Sequence, residues 1–157
     1  MLPADLISTT EKLLDSNIGK PKQSDLRRAV STTYYAMFHT LAKCCADTLI
    51  GGVGSRRSKP AWKQVYRALE HGMAKNACNN KDLLARFPQD IQDFANHFVQ
   101  MQIKRHNADY DPDEKFYKSA VTLDLFITDL IIHAFNRVPI KDRRAFAAFV
   151  LLKQPRS

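Results

Sequence analysis

Two polar stretches in this 157-residue chain carry the side chains that hold anions and exchange protons. The first reads Arg27-Arg28-Ala29-Val30-Ser31-Thr32-Thr33-Tyr34-Tyr35-Ala36-Met37-Phe38-His39. At helical spacing, Arg28, Ser31 or Thr32, Tyr35 and His39 form a polar stripe beside an apolar one. The second reads Lys104-Arg105-His106-Asn107-Ala108-Asp109-Tyr110-Asp111-Pro112 and crowds its polar groups into a tight corner between two apolar segments. A plain structural account of both is open. Tyrosine bodies pack while their hydroxyls find partners. Arg105 suits a helix carboxyl end, Asp109 can pair with it four residues on, and Tyr110 can plug the end of a bundle.

Other chemistries lack their residues. Gly51-Gly52-Val53-Gly54-Ser55 has no Gly-Lys-Ser/Thr ending and follows a helical pattern, so it reads as a flexible connector and not a phosphate loop. There is no HExxH, CxxC, GxSxG or Glu-x-x-His pattern. Cys44, Cys45 and Cys78 could approach a metal together with His39, His71 or His97. Adjacent cysteines on a helix diverge by about 100°, however, and buried structural thiols are the better reading. No metal and no cofactor is implied. Three cysteines, two of them adjacent, do not make a disulfide framework, and a cytoplasmic location is expected. The beginning of the sequence does not read as a secretory signal, and no window approaches the run of about 20 apolar residues that a membrane span needs.

The net charge of +8 is uneven. Residues 51–75 hold Arg56, Arg57, Lys59, Lys63, Arg67 and Lys75 against Glu70 alone. Residues 137–157 hold Arg137, Lys141, Arg143, Arg144, Lys153 and Arg156 against Asp142 alone. Two basic segments on a near-neutral body can form a patch for polyanions, or can be ordinary solvated surface.

The elements that must position these groups are helical. The length suits one domain over 1–157, and 45% hydrophobic residues with 25% charged ones suit a soluble core-forming chain. Apolar positions at the 3.6-residue period predict helices over 3–16, 24–49, 60–75, 88–106, 112–137 and 140–152. Asn17 to Gln23 reads as a turn, and 77–87 as mostly loop with one short turn at Leu83 and Leu84. Pro3, Pro60, Pro88, Pro112 and Pro139 mark helix starts. Asp111-Pro112-Asp113-Glu114 is the strongest of these, with Asp111 as cap and Glu114 completing a capping box. Over 112–137 the inward face is expected to be Phe116, Ala120, Leu123, Ile127, Leu130, Ile131 and Ala134. No stretch alternates as a strand does. The expected fold is all-α: an antiparallel up-and-down bundle of about five to six helices, with 138–157 a basic helix appended to it.

The run "RRAVSTTYYAMFHTLA" resembles the Ala-Tyr-Tyr-Ala-Met-Phe-His segment of small bacterial HEPN proteins (higher eukaryotes and prokaryotes nucleotide-binding), and "RHNADYDP" resembles their Arg-x-x-Ala-Asp-Tyr corner. The architecture of roughly 3–137 fits that family, with the last basic helix outside it. The resemblance implies a helical bundle that dimerises, with the polar corner near the two-fold axis. It also implies a metal-independent RNase in many members, often a toxin paired with a nucleotidyltransferase antitoxin. Their motif is Arg, four to six residues, then His. Arg105 matches the Arg. The positions for the His hold Tyr110, Asp111 and Pro112, and His106 is off-spacing.

RNA cleavage through the 2′-hydroxyl needs a proton acceptor and a donor near neutral pH, and a phenol with a reference pKa of about 10 is a poor substitute for imidazole. The sequence therefore implies a module that binds RNA or a nucleotide and is non-catalytic or weakly active. The candidate binding residues are Tyr35, His39, Asn107, Asp109, Arg56, Arg57, Arg143 and Arg144. The alternative is an endoribonuclease in which Arg105 stabilises the phosphate and His106, His39 or Tyr110 moves protons. A third reading is a structural dimerisation domain. A homodimer is expected, from surplus apolar residues Phe126, Ile132, Phe135 and Phe146. Tyr35 or His39 is expected within side-chain reach of Arg105 or Asp109.

Overall fold

The computed structural model describes residues 2–15, 19 and 21–155. These form eight helices: α1 (Pro3–Asp15), α2 (Gln23–Leu49), α3 (Lys59–Ala68), α4 (His71–Cys78), α5 (Lys81–Leu84), α6 (Gln89–Tyr110), α7 (Lys118–Asn136) and α8 (Ile140–Leu151). There is no strand among the described residues, so the fold is all-α and a helical bundle. The turn expected over Asn17 to Gln23 and the charge of Arg156 fall wholly or partly outside the described residues.

The long helix α2 is the centre of the fold: α1, α3, α6, α7 and α8 all pack against it. Its sequence suits that position. Ala29, Ala36, Ala42 and Ala46 let neighbours approach closely, and Leu26, Val30, Met37 and Leu41 fill the space between. The buried hydroxyls of Thr33, Thr40 and Thr48 return to the carbonyls of Ala29, Ala36 and Cys44 at 2.7, 2.8 and 2.6 Å, so none of these three hydroxyls is stranded in the core. Ile91, Phe94, Ala95, Phe98 and Met101 present one fully buried stripe of α6 to this core. Phe94 stacks on Phe135 of α7 at 4.3 Å between centroids. Each such ring contributes about 1.5–3 kcal/mol by leaving water. The stretch expected as an appended helix enters the same core, with Phe146, Ala147 and Val150 of α8 fully buried.

Several expected boundaries are corrected. The helix count is eight among the described residues, not five to six. The segment 60–75 is not one helix: Leu69 and Glu70 are extended, at ψ 126° and 137°. The break buries Leu69 and re-aims the chain so that Ala74, Ala77 and Cys78 of α4 reach the core. The corner at 104–112 is not a turn, because α6 continues through Tyr110. The capping box at 111–114 does not start a helix either. Asp111 ends α6, its carboxylate accepts the Asp113 N–H at 2.9 Å, and α7 begins only at Lys118.

Tertiary hydrogen bonds explain this late start. Arg27 donates to the carbonyls of Asn107, Ala108, Asp111 and Glu114, at 3.4, 2.8, 2.8 and 2.5 Å. The Gln23 side-chain amide pairs with Phe116 in both directions, donating to its carbonyl at 2.8 Å and accepting from its N–H at 2.9 Å. Backbone groups that a helix would use are thus taken by α2.

The face of α7 is corrected as well. Val121, Leu125, Thr128, Ile132 and Phe135 point inward, while Leu123, Phe126 and Leu130 are 56%, 62% and 56% exposed. The exposed three lie on the side of α7 opposite the buried stripe, and apolar residues cover most of the circumference between the two, so period alone does not choose between them. By length and composition α7 also reaches the threshold of a short membrane span, with a mean hydropathy of 1.2, which the sequence reading did not find. Its inner face packs on α1, α2 and α6.

Arg27→Ala is expected to lower stability by about 2–4 kcal/mol in urea denaturation, since it strands several carbonyls of the 107–114 corner. Arg27→Lys is expected to recover less than half of that loss, because a single ammonium cannot span four acceptors.

Candidate functional site

Where α2, α3, α4 and α6 meet, their polar side chains form one connected cluster. Arg105, on the last turns of α6, lies over the rings of Tyr34 at 5.1 Å and Tyr35 at 5.8 Å. Its guanidinium reaches the Asp109 carboxylate at 3.4 Å, and Asp109 also accepts from Ser31 at 2.6 Å. The expectation that the α2 stripe meets Arg105 and Asp109 is therefore met through Tyr35 and Ser31. The helical continuation of α6 is what allows it, because it places Arg105 and Asp109 on one face.

The sequence reading missed the centre of this cluster. His71, the first residue of α4, bonds the buried Tyr34 hydroxyl through Nδ1 at 2.5 Å and stacks on Phe38 at 4.0 Å. It lies 5.9 Å from the Tyr35 ring, so His71 and Arg105 share the same two tyrosines. Gln102 on α6 donates to the His71 carbonyl at 3.2 Å. The available signal was Tyr34 itself, a tyrosine on the apolar face of α2, whose hydroxyl had to find a partner from elsewhere.

Burial sets the protonation of this pair. It pushes the Tyr34 hydroxyl well above its ordinary range, so the phenol stays protonated. Tyr34 has no other hydrogen-bond partner among the described residues, so its O–H donates to Nδ1 of His71, and the proton of the neutral imidazole sits on Nε2. Burial, then the neighbouring Arg105 and His39, hold His71 below the ordinary histidine value. His39 faces α3 instead, bonding the Tyr66 hydroxyl through Nδ1 at 2.5 Å, and is likewise lowered by burial.

The other expected site residues are scattered. His106 and Tyr110 are exposed, with ring centroids 4.9 Å apart, and Tyr110 at 69% exposure does not plug the bundle. Asn107 contributes its carbonyl to Arg27. Arg57 is half-buried, over the Trp62 ring at 4.7 Å, and donates to Asp47 and to the Gly51 carbonyl, both at 3.1 Å. Arg144 donates to the Thr48 carbonyl at 2.8 Å, and Arg143 to that of Val138 at 2.8 Å. Arg56 is exposed. Arg57 and Arg144, from the two basic segments, thus converge on the carboxyl end of α2, where cations are favoured.

A row of rings joins that basic end to Arg105. Trp62 stacks on Tyr66 at 5.1 Å, Tyr66 on His39 at 5.8 Å, and His39 lies 6.2 Å from Tyr35. All four rings are half-buried. The cysteines are buried and free, and burial pushes the Cys44 thiol up to about 11 and that of Cys78 up to about 12. Among the described residues no group of three or more His, Cys, Asp or Glu side chains could hold a metal ion.

In comparisons with known proteins, no family model, no curated protein and no solved structure matches the chain.

Burial also lowers His97, whose Nε2 meets Thr128 at 2.7 Å. His39, His71 and His97 therefore all protonate more readily in the unfolded chain. Their contribution to stability is full above about pH 6.5 and is lost progressively as pH falls below it. Urea midpoints are expected to be lower at pH 5.5 than at pH 7.5. The imidazole resonances of these three residues are expected to titrate below 6.5.

Proposed function

We propose that this chain is a HEPN-like module that binds RNA or a nucleotide and does not cleave it efficiently. The observation that carries the reading is the row of half-buried rings from Trp62 to Tyr35, bounded by Arg57 at one end and Arg105 at the other. Polynucleotide surfaces combine cations for phosphates with aromatic groups for bases. Arg57 and Arg144, one from each basic segment, meet at the carboxyl end of α2, and their charge adds to the attraction of a polyanion there.

The hydrogen-bonding state of His71 supports binding over cleavage. With its Nδ1 lone pair engaged by Tyr34, neutral His71 offers an N–H and no base. The alternative, a metal-independent endoribonuclease, needs His71 in its other tautomer or a different proton acceptor beside Arg105. His106 and Tyr110 lie exposed at the end of α6.

A homodimer belongs to the same proposal. Leu123, Phe126 and Leu130 share one exposed face of α7, and Ile103 on the neighbouring α6 is 46% exposed. Exposed apolar surface of this extent marks an interface. Of the residues expected to supply it, Phe126 is exposed, whereas Ile132, Phe135 and Phe146 belong to the core.

Arg56, Lys59, Lys63 and Arg67 are exposed and can be changed with little effect on the fold. Their joint replacement by Gln is expected to weaken binding of single-stranded RNA and to flatten its salt dependence by up to about 0.7 per lost phosphate contact. Labelled RNA is expected to stay intact over a range of protein concentrations. Unchanged affinity with an unchanged slope would remove the reading, and cleavage abolished by Arg105→Ala would replace it with the endoribonuclease.

Phe126→Asp combined with Leu130→Asp is expected to convert a dimer to a monomer in light scattering without altering the helical circular dichroism signal. A wild-type chain that is already monomeric at micromolar concentration would defeat the dimer.

A further inference from the structure

We infer that His71, Arg105 and the amino end of α4 form a site for a phosphate group. The inference rests on the RNA- or nucleotide-binding reading and names the part of the ligand that this centre takes. Four observations converge on it.

The imidazole of His71 is fixed by Tyr34 at Nδ1 and by Phe38 against its face, and its Nε2 has no partner among the described residues. The proton assigned to Nε2 makes it a positioned donor.

Arg105 brings a second donor. Its side chain is only 14% exposed, and its Nε is fully buried without a hydrogen-bond partner. Its one ion-pair partner is Asp109 at 3.4 Å, a carboxylate already engaged by Ser31. A buried guanidinium N–H left open costs free energy until an acceptor fills it.

Gln102 adds an orphan of the opposite kind. The residue is 8% exposed, its Nε2 holds the His71 carbonyl, and its Oε1 is buried without a partner. Gln102 precedes Arg105 by three residues on α6 and so shares its face, and an unpaired acceptor on that face suits a group that carries both oxygen lone pairs and a hydroxyl. A ribose phosphate and a protonated phosphate both meet that description.

Finally, His71 begins a helix whose N-cap, Glu70, makes no side-chain cap. The first N–H groups of α4 are left for an acceptor, and the positive end of the helix dipole lies there. A Cβ added at Gly72 would meet nothing within 4 Å, so the space over this turn is open.

Protonation follows from the surroundings. His71 is faced by Tyr34, Tyr35 and His39 from α2 and by Arg105 from α6. Glu70 precedes it in the chain, and the segment after α8 brings Lys153 to the groove at Met73 and Asn76. No carboxylate is bonded to the His71 ring among the described residues. A bound anion supplies the missing negative charge, so binding and uptake of a second proton at Nδ1, with the Tyr34 hydroxyl turning to accept from it, favour each other.

The test uses the full chain, with sulfate as a phosphate mimic that does not itself titrate between pH 5.5 and 7.5. The His71 ring is followed by NMR at constant ionic strength. Saturating sulfate is expected to raise the pKa of His71 by about one unit, equivalent to about tenfold tighter binding to the protonated form. His71→Gln is expected to remove the pH dependence of binding, and Arg105→Gln to weaken binding at least about tenfold. The wild-type titration decides the matter even if a variant fails to fold.

Short oligoribonucleotides with and without a terminal phosphate identify the source of the group. If only the phosphorylated one moves the His71 resonance, the site takes a terminal phosphate, and if both do, it takes the backbone. If RNA binds through the basic end while neither sulfate nor RNA moves His71, the inference is overturned and the RNA reading stands. If sulfate moves His71 and RNA does not bind, the site stands and the RNA reading falls.

Discussion

Enclosure of α2 is the constraint on which the rest of the structure depends. A 27-residue helix with α1, α3, α6, α7 and α8 against it has almost no free side, so each polar group on it must be satisfied within the protein. The threonines answer this by bonding their own preceding turn. Tyr34 and Tyr35 cannot do so, because their hydroxyls lie too far from the backbone, and His39 turns its Nδ1 to Tyr66 instead. They draw in His71, Arg105 and Tyr66 from three other helices, and the cluster follows from that demand.

The same demand shapes the corner after α6. Arg27 lies one residue from the polar stripe and turns to the carbonyls of the 107–114 segment, while Gln23 holds Phe116 as a neighbouring strand would. These clamps hold the end of α6 against α2, which keeps Arg105 over the tyrosine rings. A segment with good local signals for a helix start is kept extended because its backbone groups already have better partners. Structural and chemical roles overlap in the basic residues too. Arg57 and Arg144 satisfy carbonyls at the end of α2, and their charge still adds to the surface field.

The cluster is internally closed in a way that bears on its chemistry. Trp62, Tyr66 and His39 are stacked on one another, with Arg57 over the Trp62 ring. The open valences are instead at Arg105 and Gln102, where buried polar atoms lack partners. On the proposed reading the phosphate end of the cluster therefore lies near α4 and α6, and the ring row that α3 shares leads from it to Arg57.

By itself the sequence determined the helical class and the fully buried stripe of α6, because a 3.6-residue period of large apolar side chains has one stable answer. It also determined the pairing of the α2 stripe with Arg105, since buried polar groups need partners and these two stretches could supply each other. Only the tertiary structure decided the rest. The break at Leu69 and Glu70 has no local signal, and it is what brings His71 to Tyr34. The late start of α7 overrides a sound capping box, because Arg27 and Gln23 compete for the same backbone groups from more than 80 residues away in sequence. The inward face of α7 was open on a helix whose apolar residues span most of its circumference, and contact with α1, α2 and α6 chose it. Local periodicity and capping are written in neighbouring residues; hydrogen bonds and packing between distant segments are settled only once the helices have met.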